Sequence, residues 1–331
     1  MFLDVLLLVF NKTGSVCQGV IGRIYFLLKN RIIVNTFSKY NTSIFCVSSF
    51  FLAVLLCISC KKKPESKVTI TEEQPILAVF TNPVLNLNFA DPTVMKASDG
   101  YYYAYGTNTK VDGKSIHIQI RKSKNLIDWE DAGDALPQKP TWADKDFWAP
   151  HVFYDDTLEM YFLYYSGESV DDAMGKCLGV ATSKSPIGPF IDKGSPLLCG
   201  ESFINIDPMA FDDPKTNKKL LYWGSEFKGI KVQELTDDRL NFKENTIPQL
   251  VVPSITNGDP SNYQNLVEGA WVTYRKPYYY AYFSGDNCCG DGAHYAVMVA
   301  RAKKATGPFE MYSKAAGTTK SVILEKKTIV G

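Results

Sequence analysis

Three carboxylates in this chain share one local setting. Asp91 in Asn88-Phe-Ala-Asp-Pro-Thr-Val, Asp207 in Asn205-Ile-Asp-Pro-Met-Ala and Glu268 in Leu266-Val-Glu-Gly-Ala-Trp each stand at the head of an apolar stretch, with Pro or Gly next in the chain. A single Asp-Pro most often just starts a strand or turn. Three such acids at matching phases of a repeat suggest something more. Two carboxyl groups facing each other across a pocket, one ionised and one kept protonated, are what acid–base cleavage of a glycosidic bond requires.

The elements that must position these acids are visible as a repeat of about sixty residues. Aromatic-rich segments recur as Asp99-Gly-Tyr-Tyr-Tyr-Ala-Tyr-Gly, Glu159-Met-Tyr-Phe-Leu-Tyr-Tyr-Ser-Gly, Lys219-Leu-Leu-Tyr-Trp-Gly-Ser and Lys276-Pro-Tyr-Tyr-Tyr-Ala-Tyr-Phe-Ser-Gly, with Tyr105, Tyr165, Trp223 and Tyr282 as equivalent marks. Alternating stretches such as His117-Ile118-Gln119-Ile120-Arg121 follow, and turn residues close them. These patterns predict half-buried antiparallel strands. Nothing after residue 64 carries a long helical period. Units of this length without helices predict an all-β fold of radially stacked sheets, a β-propeller; a β-sandwich does not account for the repeat. In a propeller the innermost strands surround a central axis, so Asp91, Asp207 and Glu268 converge there from separate blades.

Composition supports this and excludes other classes. With 36 Lys+Arg against 35 Asp+Glu, the net charge of +1 gives no field for nucleic acid or an anionic membrane surface. An aromatic share of 13% suits strands and flat recognition surfaces better than a helical bundle. The CxxC pair Cys57–Cys60 has no second CxxC or His-x-His partner at zinc spacing, and no glycine-rich nucleotide signature follows a strand. Cys177 and Cys199 flank a hairpin, which leaves a structural disulfide open.

The N-terminus has its own logic. A charge-free apolar run from Ile44 to Ile58 follows Lys39 and ends at Ser59-Cys60-Lys61-Lys62-Lys63. It is short for a membrane span and reads as an export signal over residues 1–60, with a start codon assigned too far upstream. The Ser-Cys junction resembles that of bacterial lipoproteins, cut before Cys60 with lipid on that cysteine; simple secretion is the alternative. Residues 61–75 read as a solvated tether, and the folded domain as 76–331. The expected location is the periplasm or surface of a bacterium, with membrane contact only through the lipid.

Ala90-Asp91-Pro92, Trp148-Ala149-Pro150, Ile206-Asp207-Pro208 and Val267-Glu268-Gly269, in this order, resemble glycoside hydrolase family 43. The resemblance implies a five-bladed β-propeller acting on arabinose- and xylose-containing polysaccharides with inversion. It assigns Asp91 as general base, Glu268 as general acid and Asp207 as the residue that orients the acid and tunes its pKa. Trp148 and Phe147 fall where sugar-stacking aromatics are useful. Cys288-Cys289-Gly290 and the following His294 resemble a stretch of the arabinan-cleaving members, which makes these three residues candidates for substrate contact. A vicinal Cys288–Cys289 disulfide and two separate thiols both remain open. His151 is expected to be a hydrogen-bonded structural residue. The resemblance implies no required cofactor, though a structural calcium at the propeller centre is an option. The chain stops at Gly331 where a fifth blade is expected to begin. A fragment is therefore the expectation, with exposed sheet edges and poor solubility.

The favoured activity is hydrolysis of α-L-arabinofuranosyl linkages in arabinan or arabinoxylan. A β-xylosidase of the same family and a non-catalytic glycan-binding lipoprotein are the alternatives.

Overall fold

The computed structural model describes residues 80–316 and 321–325. The expected export signal with Cys60 and the expected tether lie outside the described residues. The chain forms successive antiparallel meanders, each a separate sheet. The first contains β1 (Thr93–Lys96), β2 (Tyr102–Gly106), β5 (Gln119–Ser123) and β6 (Glu130–Asp134), with the hairpin β3 (Thr109–Val111) and β4 (Lys114–Ile116) inserted between β2 and β5. The second contains β7 (Ala143–Asp155), β8 (Met160–Ser169), β9 (Lys176–Ser183) and β10 (Ile191–Asp192), and β11 (Leu198–Gly200) also pairs with β9. The third contains β12 (Met209–Asp212), β13 (Lys219–Trp223), β14 (Ile230–Glu234) and β15 (Gln249–Val252). The fourth contains β16 (Val267–Arg275), β17 (Tyr278–Gly285), β18 (Ala296–Ala302) and β19 (Glu310–Met311), with β20 (Val322–Glu325) also on β18. Helix is limited to a 3₁₀ turn at Glu226–Lys228 and α1 (Tyr312–Ala316) among the described residues. These sheets are four blades of a β-propeller.

The core lies between blades. Tyr105 and Ile120 of the first blade pack with Phe147, Leu163 and Tyr165 of the second. Phe162, Tyr164 and Leu178 of the second pack with Ala210, Leu221 and Trp223 of the third. Met209, Leu220 and Tyr222 of the third pack with Val272, Tyr279 and Ala281 of the fourth. Each middle sheet is therefore apolar on both faces, and β8 is buried along most of its length. The expectation of half-buried strands fails here for that reason: successive side chains point to opposite faces, and both faces meet a neighbouring blade.

The repeat also proves to be shifted by one residue in two blades. The residues paired alike are Tyr105 with Thr93, Tyr164 with His151, Tyr222 with Met209 and Tyr282 with Trp271. Tyr165 and Trp223 are each one position further along. Three of the equivalent tyrosines perform the same task. Tyr105 donates to the Pro186 carbonyl at 2.5 Å, Tyr164 to Arg239 at 3.0 Å and Tyr222 to Ala305 at 2.7 Å, in each case in the next blade. The aromatic ring fills the inter-blade core, and its hydroxyl satisfies a buried carbonyl that has no strand partner.

Replacing Tyr222 with Phe leaves the ring in place and orphans the Ala305 carbonyl. Urea unfolding of this variant is expected to show a loss of about 1–3 kcal/mol. A loss within error of zero would mean that these hydroxyls do not fasten the blades.

Candidate active site

One backbone feature recurs at the head of every innermost strand. Asp91, Ala149, Asp207 and Gly269 all have left-handed backbones, with φ of 49°, 47°, 58° and 64°. In the second and fourth blades the pairing slips at this point, between Trp148/His151 and between Glu268/Trp271. In the first and third, Thr107 N–H reaches Ala90 O and Gly224 N–H reaches Ile206 O, both at 3.0 Å, before regular pairing begins at Thr93 and Met209. This is one β-bulge repeated four times, which re-aims the side chains around it. Asp tolerates the left-handed region through its short polar side chain, and Gly adopts it without strain.

The bulge shows that the three acids are not strictly equivalent. Asp91 and Asp207 occupy the left-handed position itself. Glu268 stands one residue earlier, in the place of Trp148 in the second blade. The glycine after it takes the left-handed position, and its backbone N–H donates to the Asp207 carboxylate. A Cβ added at Gly269 would make only ordinary contact with Asp207 Oδ2, at 3.8 Å, so it is the positive φ rather than lack of space that calls for glycine here.

Four hydroxyl groups, three of them at the ends of second strands, hold this ring of bulges. Thr107 Oγ1 donates to Asp91 Oδ2 at 2.6 Å and accepts the Ala149 N–H at 3.1 Å. Ser166 Oγ, fully buried, accepts the Asp207 N–H at 3.2 Å. Ser225 Oγ donates to Glu268 Oε2 at 2.6 Å, and Tyr295 donates to Oε1 at 2.7 Å. None of these four was singled out from sequence. The available signal was the Ser or Thr beside Gly that closes each aromatic segment, as in Gly106-Thr107, Ser166-Gly167 and Gly224-Ser225.

The acids differ in exposure and charge. Asp91 is exposed, whereas Asp207 and Glu268 are half-buried. Burial pushes the Asp207 carboxyl well above the usual carboxylate range, and the Glu268 and Asp91 charges push the same way. Glu268 is also raised, first by burial and further by Asp91 and Glu226, while the Ser225 and Tyr295 hydroxyls pull it back down. Two neighbouring carboxyls in this setting do not both ionise near neutrality, so the Asp207–Glu268 pair retains a proton. Tyr295 is held well above its ordinary value by burial and by the Glu268 charge, so it remains a donor.

The expected sugar-contacting residues separate. Trp148 is half-buried and stacks on Phe203, with ring centroids 6.0 Å apart and planes 7° apart. Phe147 does not belong with it: only 2% exposed, it packs against His117 and Tyr165 in the core between the first two blades. Adjacent strand residues face opposite ways, so Phe147 and Trp148 cannot both face the axis. His294 stacks on Tyr263 and meets Asp286 Oδ2 through Nδ1 at 2.6 Å. Cys288 and Cys289 form a vicinal disulfide, exposed in the loop that leaves β17 beside Ser284 and returns at Tyr295. Cys177 and Cys199 also pair. His151 is buried, accepts the Ala210 N–H through Nδ1 at 3.2 Å, and is pushed by burial down to about 3, so it is neutral and structural. Among the described residues no cluster of three or more His, Cys, Asp or Glu is placed to hold a metal ion.

Comparison with known proteins identifies the family. Residues 80–329 match the family model for glycosyl hydrolases family 43. The probable arabinan endo-1,5-alpha-L-arabinosidase D of Emericella nidulans is 30% identical over 246 residues, covering 66% of this chain and 60% of that protein. This chain thus spans under two thirds of that relative's length. A crystal structure of a thermostable family-43 glycoside hydrolase superposes with a TM-score of 0.59 at 27% identity, covering 75% of this chain and 78% of the other. An exo-1,5-alpha-L-arabinanase from a bovine ruminal metagenomic library gives 0.58 at 26% identity, covering 75% and 83%.

The two donors on Glu268 make a signed prediction. Removing one hydroxyl by Tyr295→Phe or Ser225→Ala takes away stabilisation of the ionised form, so the Glu268 pKa should rise, by about one unit per hydrogen bond. Carbon-13 NMR titration of labelled glutamate, assigned with Glu268→Gln, reads this directly. An unmoved or lowered value would contradict the hydrogen-bond assignment.

Proposed function

Because the chain belongs to glycosyl hydrolases family 43, we propose that it hydrolyses α-L-arabinofuranosyl linkages of arabinan by inversion, with Asp91 as base and Glu268 as acid. The observation that carries this reading is the asymmetry of the acids. Asp91 is open to water and oriented by Thr107, whereas Glu268 is half-buried, raised in pKa and held by two hydroxyls. One carboxyl is suited to accept a proton and the other to deliver one. Arabinan is favoured as substrate because the relatives described above carry arabinan-cleaving names, and because the chain has the vicinal cysteine pair.

In this mechanism Asp91 takes a proton from a water molecule as its oxygen attacks the anomeric carbon. The bond from that carbon to the leaving oxygen breaks on the opposite side, and Glu268 gives its proton to that oxygen. Solvent exchange restores both carboxyls. Asp207, anchored on the Gly269 amide, sits beside Glu268, where its own retained or lost proton sets how firmly Glu268 keeps its own. The exposed ring of Phe203, lying parallel to Trp148, gives this aromatic pair a flat apolar face for a sugar.

Export follows from the N-terminal features. The apolar run to Ile58 and the Ser59-Cys60 junction support a lipid-anchored protein outside the cytoplasm, acting on polysaccharide that does not enter the cell.

Glu268→Gln and Asp91→Asn, which preserve shape, should each lower kcat on debranched arabinan by about 10²–10⁴ while the thermal midpoint stays near that of the parent. Reducing-sugar release from debranched arabinan, arabinoxylan and aryl arabinosides and xylosides reads both activity and substrate. A parent that binds arabinan yet cleaves none of these would sink the hydrolase reading in favour of glycan binding.

A further inference from the structure

Glu226 follows Ser225, whose hydroxyl holds Glu268. It begins the 3₁₀ turn of β13–β14 with a left-handed backbone, φ 54°, and it faces a second left-handed residue, Ser202, φ 53°. Its carboxylate Oε1 accepts from the Ser202 hydroxyl and from the Phe203 backbone N–H, the latter at 3.2 Å. Neither residue is glycine, and backbone strain of this kind collects at functional contacts.

What the contact fixes is a phenylalanine that would otherwise wave in solvent. Phe203 is 45% exposed, yet its ring lies parallel to Trp148. On the Trp148 ring sits the ammonium of Lys176, 3.9 Å from the centroid, itself held by Asp146 at 2.7 Å and Glu168 at 2.5 Å. Trp148 occupies the bulge position that Glu268 takes in the fourth blade. A continuous line of contacts therefore runs from Lys176 through Trp148 and Phe203 to Glu226, and from the preceding residue, Ser225, to Glu268.

We propose that Glu226 is a positioning residue that holds Phe203 against Trp148 as one face for stacking a sugar ring, and that places a negative charge near Glu268 at the same time. This rests on the hydrolase reading above. The charged and titratable groups around Glu268 are Asp91, Asp207, Glu226 and Tyr295. Burial is the largest influence raising Glu268, and Asp91 and Glu226 add to it. Of these groups, only Glu226 also reaches the aromatic pair. Loss of its charge lowers the pH at which Glu268 gives up its proton, and so moves the alkaline limb of activity to lower pH.

The two roles come apart in a set of variants assayed on arabino-oligosaccharides over a range of pH, with thermal unfolding as the control for folding. Glu226→Gln keeps an acceptor for Ser202 and Phe203, so KM should stay within about twofold while the alkaline limb shifts down by roughly half a unit. Glu226→Ala should show the same shift and, in addition, a rise in KM of about threefold to tenfold as the stacked face loosens. Phe203→Ala should copy the rise in KM with the limb unmoved. The proposal is overturned if Glu226→Gln leaves the limb in place, or if Glu226→Ala leaves KM at the parental value while Phe203→Ala raises it. If the parent itself cleaves nothing, the hydrolase reading fails instead. Calorimetric binding of arabinohexaose then still tests the stacked face, which requires weaker binding by Phe203→Ala and Glu226→Ala alike.

Discussion

The left-handed bulge at the head of each innermost strand is the constraint on which the site depends. A regular strand would send alternate residues toward neighbouring blades and bury them there, as happens to Phe147. The bulge breaks that alternation at one point per blade and frees side chains to face the axis. Its cost is a non-glycine residue at positive φ in three blades out of four. Asp91 bears that cost with a carboxylate that accepts from Thr107, Asp207 with its N–H on Ser166, and Ala149 with its N–H on Thr107. The fourth blade places Gly at the bulge, and its acid comes one residue earlier. Glu268 thereby approaches from a different direction than the two aspartates, and Asp207 can lean on the glycine's amide.

Fastening these bulges needs a rigid surround, which the inter-blade aromatic packing supplies. Tyr105, Tyr164 and Tyr222 fill equivalent gaps and tie each sheet to a carbonyl of the next. His151 ties the second blade to the third in the opposite sense, accepting the Ala210 N–H, and burial keeps it neutral. The site therefore sits on strand ends whose positions are set by packing, and the groups that tune charge are short hydroxyl side chains with little freedom. Glu268 balances opposed influences of comparable kind: burial and two nearby carboxylates raise it, and two donors lower it. Such a group responds to single hydroxyl changes.

Much of this was legible in the chain. Recurring aromatic segments and turn residues yield a propeller because strand period and repeat length are written locally, and Asp91, Asp207 and Glu268 stand out because acids rarely open apolar strands. The exact phase was not legible. Tyr165 and Trp223 look as good as Tyr164 and Tyr222 when every residue in the segment is aromatic or apolar, and only cross-strand pairing separates them. For the same reason Phe147 passed for a partner of Trp148, although the two face opposite ways. Thr107, Ser166, Ser225 and Tyr295 were missed because a hydroxyl announces no chemistry until its partner, distant in sequence, is beside it. The pairing of Cys288 with Cys289 was likewise open until the loop was placed.

The central claim is that Asp91 activates a water on the side of the sugar ring opposite to the oxygen that Glu268 protonates. Stereochemistry records this arrangement directly. Proton NMR of debranched arabinan, observed in the first minutes of hydrolysis before mutarotation, should show the new reducing end appearing as the β-anomer. First appearance of the α-anomer would mean retention through a covalent intermediate, and would contradict the assignment of Asp91 as a base acting on water.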